Sequence, residues 1–506
     1  MVYTGKPSKS CEACRLRKRR CDKGVPGCGQ CRRQGTECPG YRDPLSLAFR
    51  NQTAHGTSPA SSDGGSDKSS NNSVVVPFFS RAPSLHFQMD LDLADLGLTY
   101  FQENYATGHM ESYETFMTVA PKVLATDRDP TAMTSAIHAI SLAGIANSAG
   151  AQVDQAGLSR RAWSKYCTAL RAVNQLLTDP VLACKDSTLF AILLLSIFEA
   201  VTCSGPASVS AWKRHIDGAS ALIAQRGLAQ FERDIGRLAF RETLVHILTS
   251  CYRLQVPVPP QILAMRREFE RRLGPQDTIW LMSHAHMDAL DLWQRAVAQE
   301  WPLPAALWES LLLEGIELDR QNVAIFDQYL DFCGLERGFR TMFNPRADPA
   351  LVYEGAYHVY PNMRLARLWT GTRTSRILVN RLIRALAIET EPGASFGAIG
   401  MSQAQLIKTL DHKLYDLATS LIATAPQLLG YLDADGSVLP LDVAKPNVGG
   451  GYQAIFHLYH AGQLPVTDEP ARLWVIKQLR RIDSQTGIRK AGFLADLLVQ
   501  EGRLKH

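Results

Sequence analysis

Apolar residues recur at helical spacing through most of the chain from about Tyr100 onward. Leu406, Ile407, Leu410, Leu414, Leu417, Ala418, Leu421 and Ile422 trace one face of a helix that Pro426 is expected to end. Trp212, Ile216, Ala219, Leu222 and Ile223 trace a second face, closed by Gly227. The run from Leu189 to Cys203 is nearly all apolar, yet it falls short of a bilayer and contains Glu199. It predicts a buried core helix, not a membrane span. No strand-rich stretch and no strand–helix alternation stands out. About four hundred residues of this kind are enough to bury a large core. The fold class expected is all-α, and a chain this long can divide its core into two lobes.

Ahead of that region the pattern changes. Residues 85–101 alternate apolar and acidic groups: Phe87, Met89, Asp90, Leu91, Asp92, Leu93, Asp95, Leu96 and Leu98. Such alternation suits either an amphipathic activation segment or the entry strand or helix of the next domain. Residues 51–76 are rich in Ser, Asn, Gly and Asp, which cannot bury enough apolar surface to fold. This stretch reads as a disordered, flexible linker. It shows no a/d heptads, and Pro44, Gly56, Pro59 and Pro77 would interrupt a coiled coil.

The first forty-odd residues are different again. Cys11, Cys14, Cys21, Cys28, Cys31 and Cys38 follow the spacing C-x2-C-x6-C-x6-C-x2-C-x6-C, and the second three repeat the first three after seventeen residues. No histidine lies between them, so the local ligand set is sulfur alone, which favours a tetrahedral ion such as zinc. One zinc would strand two cysteines, and two separate zincs would need eight. Six suffice for two zinc ions if two sulfurs bridge, and the symmetric candidates are Cys11 and Cys28. Each C-x-x-C pair can sit at i, i+3 at a helix start, where free N–H groups favour thiolates. A disulfide knot is the competing reading. Residues Met1–Ser10 have no apolar secretory core, and Cys167, Cys184, Cys203, Cys251 and Cys333 are scattered singly. Both features suit a reducing compartment instead.

Charge sharpens the picture. The chain holds 54 Lys+Arg against 49 Asp+Glu, but residues 1–50 hold twelve basic and four acidic residues, leaving the remainder net negative. Allowing for six thiolates and two zinc ions, the head keeps roughly +6, a density suited to binding phosphate. The first half of the repeat carries Arg15, Arg17, Lys18, Arg19 and Arg20 on its expected helix, a continuous basic surface for DNA. The second half is shortened by Gly35 and neutralised by Glu37, and reads as structural support.

The run Cys11-Glu12-Ala13-Cys14-Arg15-Leu16-Arg17-Lys18-Arg19-Arg20-Cys21-Asp22-Lys23, with Pro26, Cys28, Cys31 and Cys38, resembles the fungal binuclear zinc cluster transcription factors. The resemblance implies that Cys11 and Cys28 bridge two zinc ions and that Pro26 shapes the joining loop, with a cis peptide bond. It implies that Lys18 reads a CGG triplet in the major groove and that Arg17 approaches the same triplet. Arg15, Arg20 and Lys23 match phosphate-contacting positions, with Arg19 a further candidate. Many relatives pair two clusters through a coiled coil after the head. Its absence here leaves open a monomer on one triplet and a homodimer held by the C-terminal region.

Further along, Trp212-x-x-His215-x-x-Gly218-Ala219-x-x-Leu222 with Arg226-Gly227 resembles the fungal-specific regulatory domain that accompanies this cluster. So do Leu368-Trp369 with Arg373 and Arg376, and Gly487-Ile488. Trp212 and His215 are expected to serve packing and capping. The organisation expected is a zinc cluster DNA-binding domain at 9–42, a flexible linker at 43–84 and a helical regulatory domain at 85–506. No enzyme is expected. His284-Ala285-His286-Met287-Asp288 is followed by Ala289 where a metallohydrolase motif needs a ligand. Gly393-Ala394-Ser395-Phe396-Gly397 follows Glu389, Glu391 and Pro392, not a buried strand, and reads as a loop. The expected function is a nuclear transcription factor of RNA polymerase II genes, acting on double-stranded DNA with co-regulators or the transcription machinery and without a membrane. Arg15–Arg20 can double as an import signal. The alternative is a helical adaptor or metabolite sensor whose head binds DNA only weakly and without specificity.

Overall fold

The computed structural model describes residues 11–17, 19–22, 24, 27–36, 38, 93–106, 115–148, 154–254, 256–273, 278–298, 303–390 and 395–503. The chain divides into two units between Phe87 and Gln88. The expected linker at 43–84 lies outside the described residues. In the first unit two five-residue helices, Glu12–Leu16 and Gly29–Arg33, pack against each other.

The second unit is all-α, as the periodicity predicts. Its first described helix, Leu93–Phe101, covers the end of the apolar–acidic stretch, so that part belongs to the domain. Helix Asp186–Val201 is buried on every side, from Ser187 through Val201, which is why its sequence shows no polar face. Helices Thr131–Asn147 and Pro206–Arg226 flank it, and Gln155–Leu176 packs on the former. The last five described helices pack in sequence from Met363–Ile388 through Gln403–Leu429, Val448–Gln463 and Glu469–Thr486 to Arg489–Arg503. The main apolar core runs from Phe101 to Leu498, with a small separate cluster of Leu292, Ala296, Leu311, Leu382 and Leu386. Among the described residues no helix is long and apolar enough to cross a membrane.

Three local expectations change. Helix Gln403–Leu429 runs past Pro426, which lies inside its last turn. A proline there forfeits a single amide bond, and the amide of Gly430 closes the helix on the carbonyls of Gln427 and Pro426. Ser395–Phe396 pairs with Met401–Ser402 in a two-residue hairpin, so the G-x-S-x-G segment is not simply a loop. A second hairpin, Arg340–Phe343 on Ala356–Val359, was not foreseen, because four residues are too few to display a period.

Distant parts of the chain are joined at Asn147. Its amide donates to the carbonyls of Val201 at 2.8 Å and Gly487 at 3.1 Å, while Arg489 donates to the Asn147 carbonyl at 3.2 Å. Gly487 has φ 75°, and a Cβ there would stand 2.6 Å from the Gly144 carbonyl oxygen. Only glycine permits that approach.

Polar groups inside the core are mostly matched. The Tyr166 hydroxyl donates to Glu199 at 2.6 Å and lies 3.0 Å from His215 Nε2, so His215 joins a buried polar cluster and does not cap a helix. Trp212 packs as expected, beneath Lys490 Nζ at 4.1 Å from its ring. Lys490 is only 1% exposed, and Phe456 lies against the same ammonium at 4.5 Å. Burial pushes this lysine down to about 7, with Arg253 adding repulsion. Between that value and the ordinary lysine range the unfolded chain binds a proton that the folded chain does not. Stability therefore rises with pH across that window. Lys490→Met keeps the shape and removes the charge. Denaturant titrations from pH 6 to 9 should find the variant's advantage greatest below pH 7 and shrinking upward; a pH-independent difference would contradict the assignment.

Candidate metal centre and nucleic-acid interface

Among the described residues of the head there is almost no hydrocarbon core. Its buried cluster consists of Cys11, Cys14, Cys28 and Cys31, with Ala13, Cys21 and Cys38 packed against them. The sulfurs form two overlapping groups, Cys11, Cys14, Cys21 and Cys28, and Cys11, Cys28, Cys31 and Cys38, each with its Sγ atoms within 4.8 Å of one another. Cys11 and Cys28 belong to both. The Sγ separations are 3.7 Å for Cys11–Cys28, 3.9 Å for Cys11–Cys31 and 3.7 Å for Cys14–Cys28.

These distances fit zinc. Four sulfurs at the usual zinc–sulfur bond length form a tetrahedron whose edge is about 3.8 Å. They do not fit disulfides, whose sulfurs are about 2.0 Å apart, and no cysteine of the head is in one. Thiols this crowded also resist ionisation. Cys31 is pushed up to about 12, first by its hydrogen bond with Cys28 and then by burial, and burial raises Cys14 further still. A dication among the sulfurs reverses that balance, because a coordinating thiol gives up its proton.

Backbone bonds aim the sulfurs inward. The Cys31 amide donates to Cys28 Sγ at 3.4 Å, at the start of helix Gly29–Arg33. That helix ends in a Schellman arrangement, Gly35 N–H to the Arg32 carbonyl and Thr36 N–H to the Cys31 carbonyl. The Gly29 amide, exposed at the helix start, donates to both Asp22 carboxylate oxygens at 3.0 Å. A Cβ on Gly29 would sit 2.6 Å from Asp22 Oδ2, so a side chain there would displace the carboxylate. The two halves meet again where Arg17 donates to Gln34 Oε1 at 2.6 Å.

The basic run departs from the continuous helix expected. Helix Glu12–Leu16 stops after one turn, Arg17 is in a turn, and the Arg19 amide reaches back to the Cys14 carbonyl at 2.8 Å. The reversal lets Cys21 return to the sulfur cluster, a constraint that periodicity alone does not reveal. Arg17, Arg19 and Arg20 are exposed, and Leu16 beside them is 74% exposed. Arg15 lies on the helix, its side chain outside the description, while Lys18, Lys23 and Pro26 lie outside the described residues. In the second half, Arg32 and Arg33 turn back onto the carbonyls of Gly27 and Gly29, both at 3.3 Å, which agrees with a supporting role.

Sequence reasoning missed Asp22 and Gly29, counting the first only as a negative charge. Their signal was positional: each directly follows a repeated cysteine. The histidine pair of the candidate hydrolase motif separates. On helix Thr278–Val297, His284 meets Arg266 and Asp288 at the surface, while His286 faces inward to Ser375 at 2.6 Å. Among the described residues, only cysteines of the head gather as candidate metal groups.

Comparison with known proteins agrees with this geometry. Residues 9–47 match the fungal Zn(2)-Cys(6) binuclear cluster domain, and residues 48–255 match the fungal specific transcription factor domain. No curated protein and no solved structure matches the chain. The second match begins inside the stretch read as linker and stops well before the helical unit ends.

Asp22→Ala removes the acceptor that holds the second helix start to the first half. Losing such a charge-assisted bond at an exposed site should cost about 1 kcal/mol. In a chelator titration of the full chain the variant should surrender zinc several-fold more readily, with Asp22→Asn intermediate. Equal retention in all three proteins would remove Asp22 from the supports of the centre.

Proposed function

We propose that this chain, a DNA-binding transcription factor by its two matched domains, recognises CGG-type triplets through a head holding two zinc ions and regulates RNA polymerase II genes in the nucleus. Cys11, Cys14, Cys21 and Cys28 hold one ion in this reading, Cys11, Cys28, Cys31 and Cys38 the other, with Cys11 and Cys28 bridging. The observation that carries it is the pair of four-sulfur groups sharing those two cysteines, beside the exposed arginines Arg17, Arg19 and Arg20. Zinc supplies rigidity and charge here, not a reaction. The proteins of these families are transcription factors, which are typically not enzymes.

The roles divide by chemistry. Lys18 donates to guanine O6 and N7, the commonest specific contact in the major groove. Arg17 approaches the same triplet. Arg15, Arg19, Arg20 and Lys23 meet phosphates and fix register without reading sequence. The helical unit supplies the surface for co-regulators or the transcription machinery. It also leaves room for a homodimer without a coiled coil.

Competition between CGG-bearing and scrambled duplexes at physiological salt tests the reading. The full chain should prefer CGG, whereas equal weak binding would favour an adaptor with a non-specific head. Lys18→Ala should lose about 1–3 kcal/mol of that preference; an equal loss on both duplexes would assign Lys18 to the backbone instead. Arg15→Ala should weaken both duplexes alike and lower the salt slope by about one. An unchanged slope would take Arg15 off the phosphate contacts.

A further inference from the structure

The helical unit encloses a cavity of about 140 Å³ that none of the preceding chemistry uses. Four helices supply its walls, with the start of helix Phe116–Thr126 at one side. Glu242, Val245, His246 and Thr249 line it from one face of helix Asp234–Leu254, at i, i+3, i+4 and i+7. The others are Thr278–Val297, Met363–Ile388 and Val448–Gln463. The first wall falls within the matched domain and the other three beyond it, so the cavity lies at the seam between them.

Two properties distinguish it from a packing void. The lining is largely aromatic and apolar, with Phe116, Tyr452 and Phe456 among its walls. Yet several residues that line it carry a buried polar atom with no hydrogen bond among the described residues, among them Glu242 Oε1, Ser283 Oγ and His460 Nδ1. Their residues are 3%, 1% and 8% exposed. Native interiors rarely leave such groups unsatisfied, and several around one space point to something polar that completes them. Size narrows the candidates: a dry engineered cavity of about 150 Å³ admits benzene.

Charge narrows them further. The Glu242 carboxylate lies 3.6 Å from Arg367, so its charge is offset. Burial depresses His286 to about 4 and His246 and His457 to about 3, leaving those imidazoles neutral at physiological pH. Nothing in the lining calls for a charged guest.

We propose that this cavity binds a neutral small molecule of one aromatic ring or a fused pair, carrying a hydroxyl or N–H group that donates to Glu242 Oε1. Seated there, it would tie helix Asp234–Leu254 to helices Met363–Ile388 and Val448–Gln463. The site stands apart from DNA recognition and does not depend on the head.

Thermal unfolding of the full chain with phenol, indole and benzene as probes tests the proposal. Phenol or indole should raise the unfolding midpoint in a dose-dependent way, and more than benzene does. Glu242→Gln keeps the shape and should weaken phenol or indole by roughly tenfold, leaving benzene unchanged. Val245→Phe should fill the space and abolish every shift, with circular dichroism confirming that the variant is folded. If it does not fold, the Glu242→Gln comparison decides alone. No shift with any probe would mean a cavity that holds water only and would overturn the proposal. Shifts that ignore Glu242→Gln would overturn it too.

Discussion

Sulfur takes the place of hydrocarbon in the head of this protein. Among the described residues, four buried cysteines with Cys21, Cys38 and Ala13 packed against them make up its core, and two helices of five residues each hang on them. A segment this short cannot bury enough apolar area to fold by itself. Metal coordination therefore supplies both the stability and the shape of the basic surface. The order matters for recognition: arginines on a fixed turn present a pattern, whereas the same arginines on a loose chain present only charge.

The helical unit solves the opposite problem. It has apolar area in abundance, with a main core from Phe101 to Leu498, and its difficulty is the polar groups caught inside. Most are answered by neighbours. Asp319 is held by Arg376 at 2.8 Å, Asn380 at 2.8 Å and Lys413 at 2.9 Å; Arg373 donates to Tyr360 at 2.7 Å and Thr424 at 3.0 Å. Others find no hydrogen bond among the described residues: Lys490 Nζ, the Trp293 and Trp369 indole N–H groups, and the cluster around Glu242. Several unmatched polar groups gathered around one space are informative about function in a way that another buried leucine is not.

The sequence made the broad plan legible for physical reasons. Cysteine spacing revealed the head because few arrangements of six thiols satisfy tetrahedral ions. Helical faces such as Leu406–Ile422 were legible because burial imposes their period, and Gly227 marked an end by its conformation. What escaped were features set by contacts between distant residues. Asp22 and Gly29 meet only once the sulfurs have closed the loop between them. The turn after Leu16 follows from the need to return Cys21, not from any propensity of Arg17–Arg20. The cavity draws on four helices spread over more than two hundred residues, each unremarkable alone. Trp212 and His215 stood out by type, while Glu242 and Ser283 did not.

The junction at Asn147 carries a consequence for how the molecule is made. Its side chain and carbonyl bind Gly487 and Arg489, near the far end of the polypeptide. Helix Arg489–Arg503 also packs on the buried, mostly apolar helix Asp186–Val201. During synthesis those early helices leave the ribosome long before their last covering does, and they must wait with greasy surface uncovered. Until residues 487–503 are made, Asn147 and part of helix Asp186–Val201 lack their partners, so completion of this core waits on a segment some three hundred residues downstream.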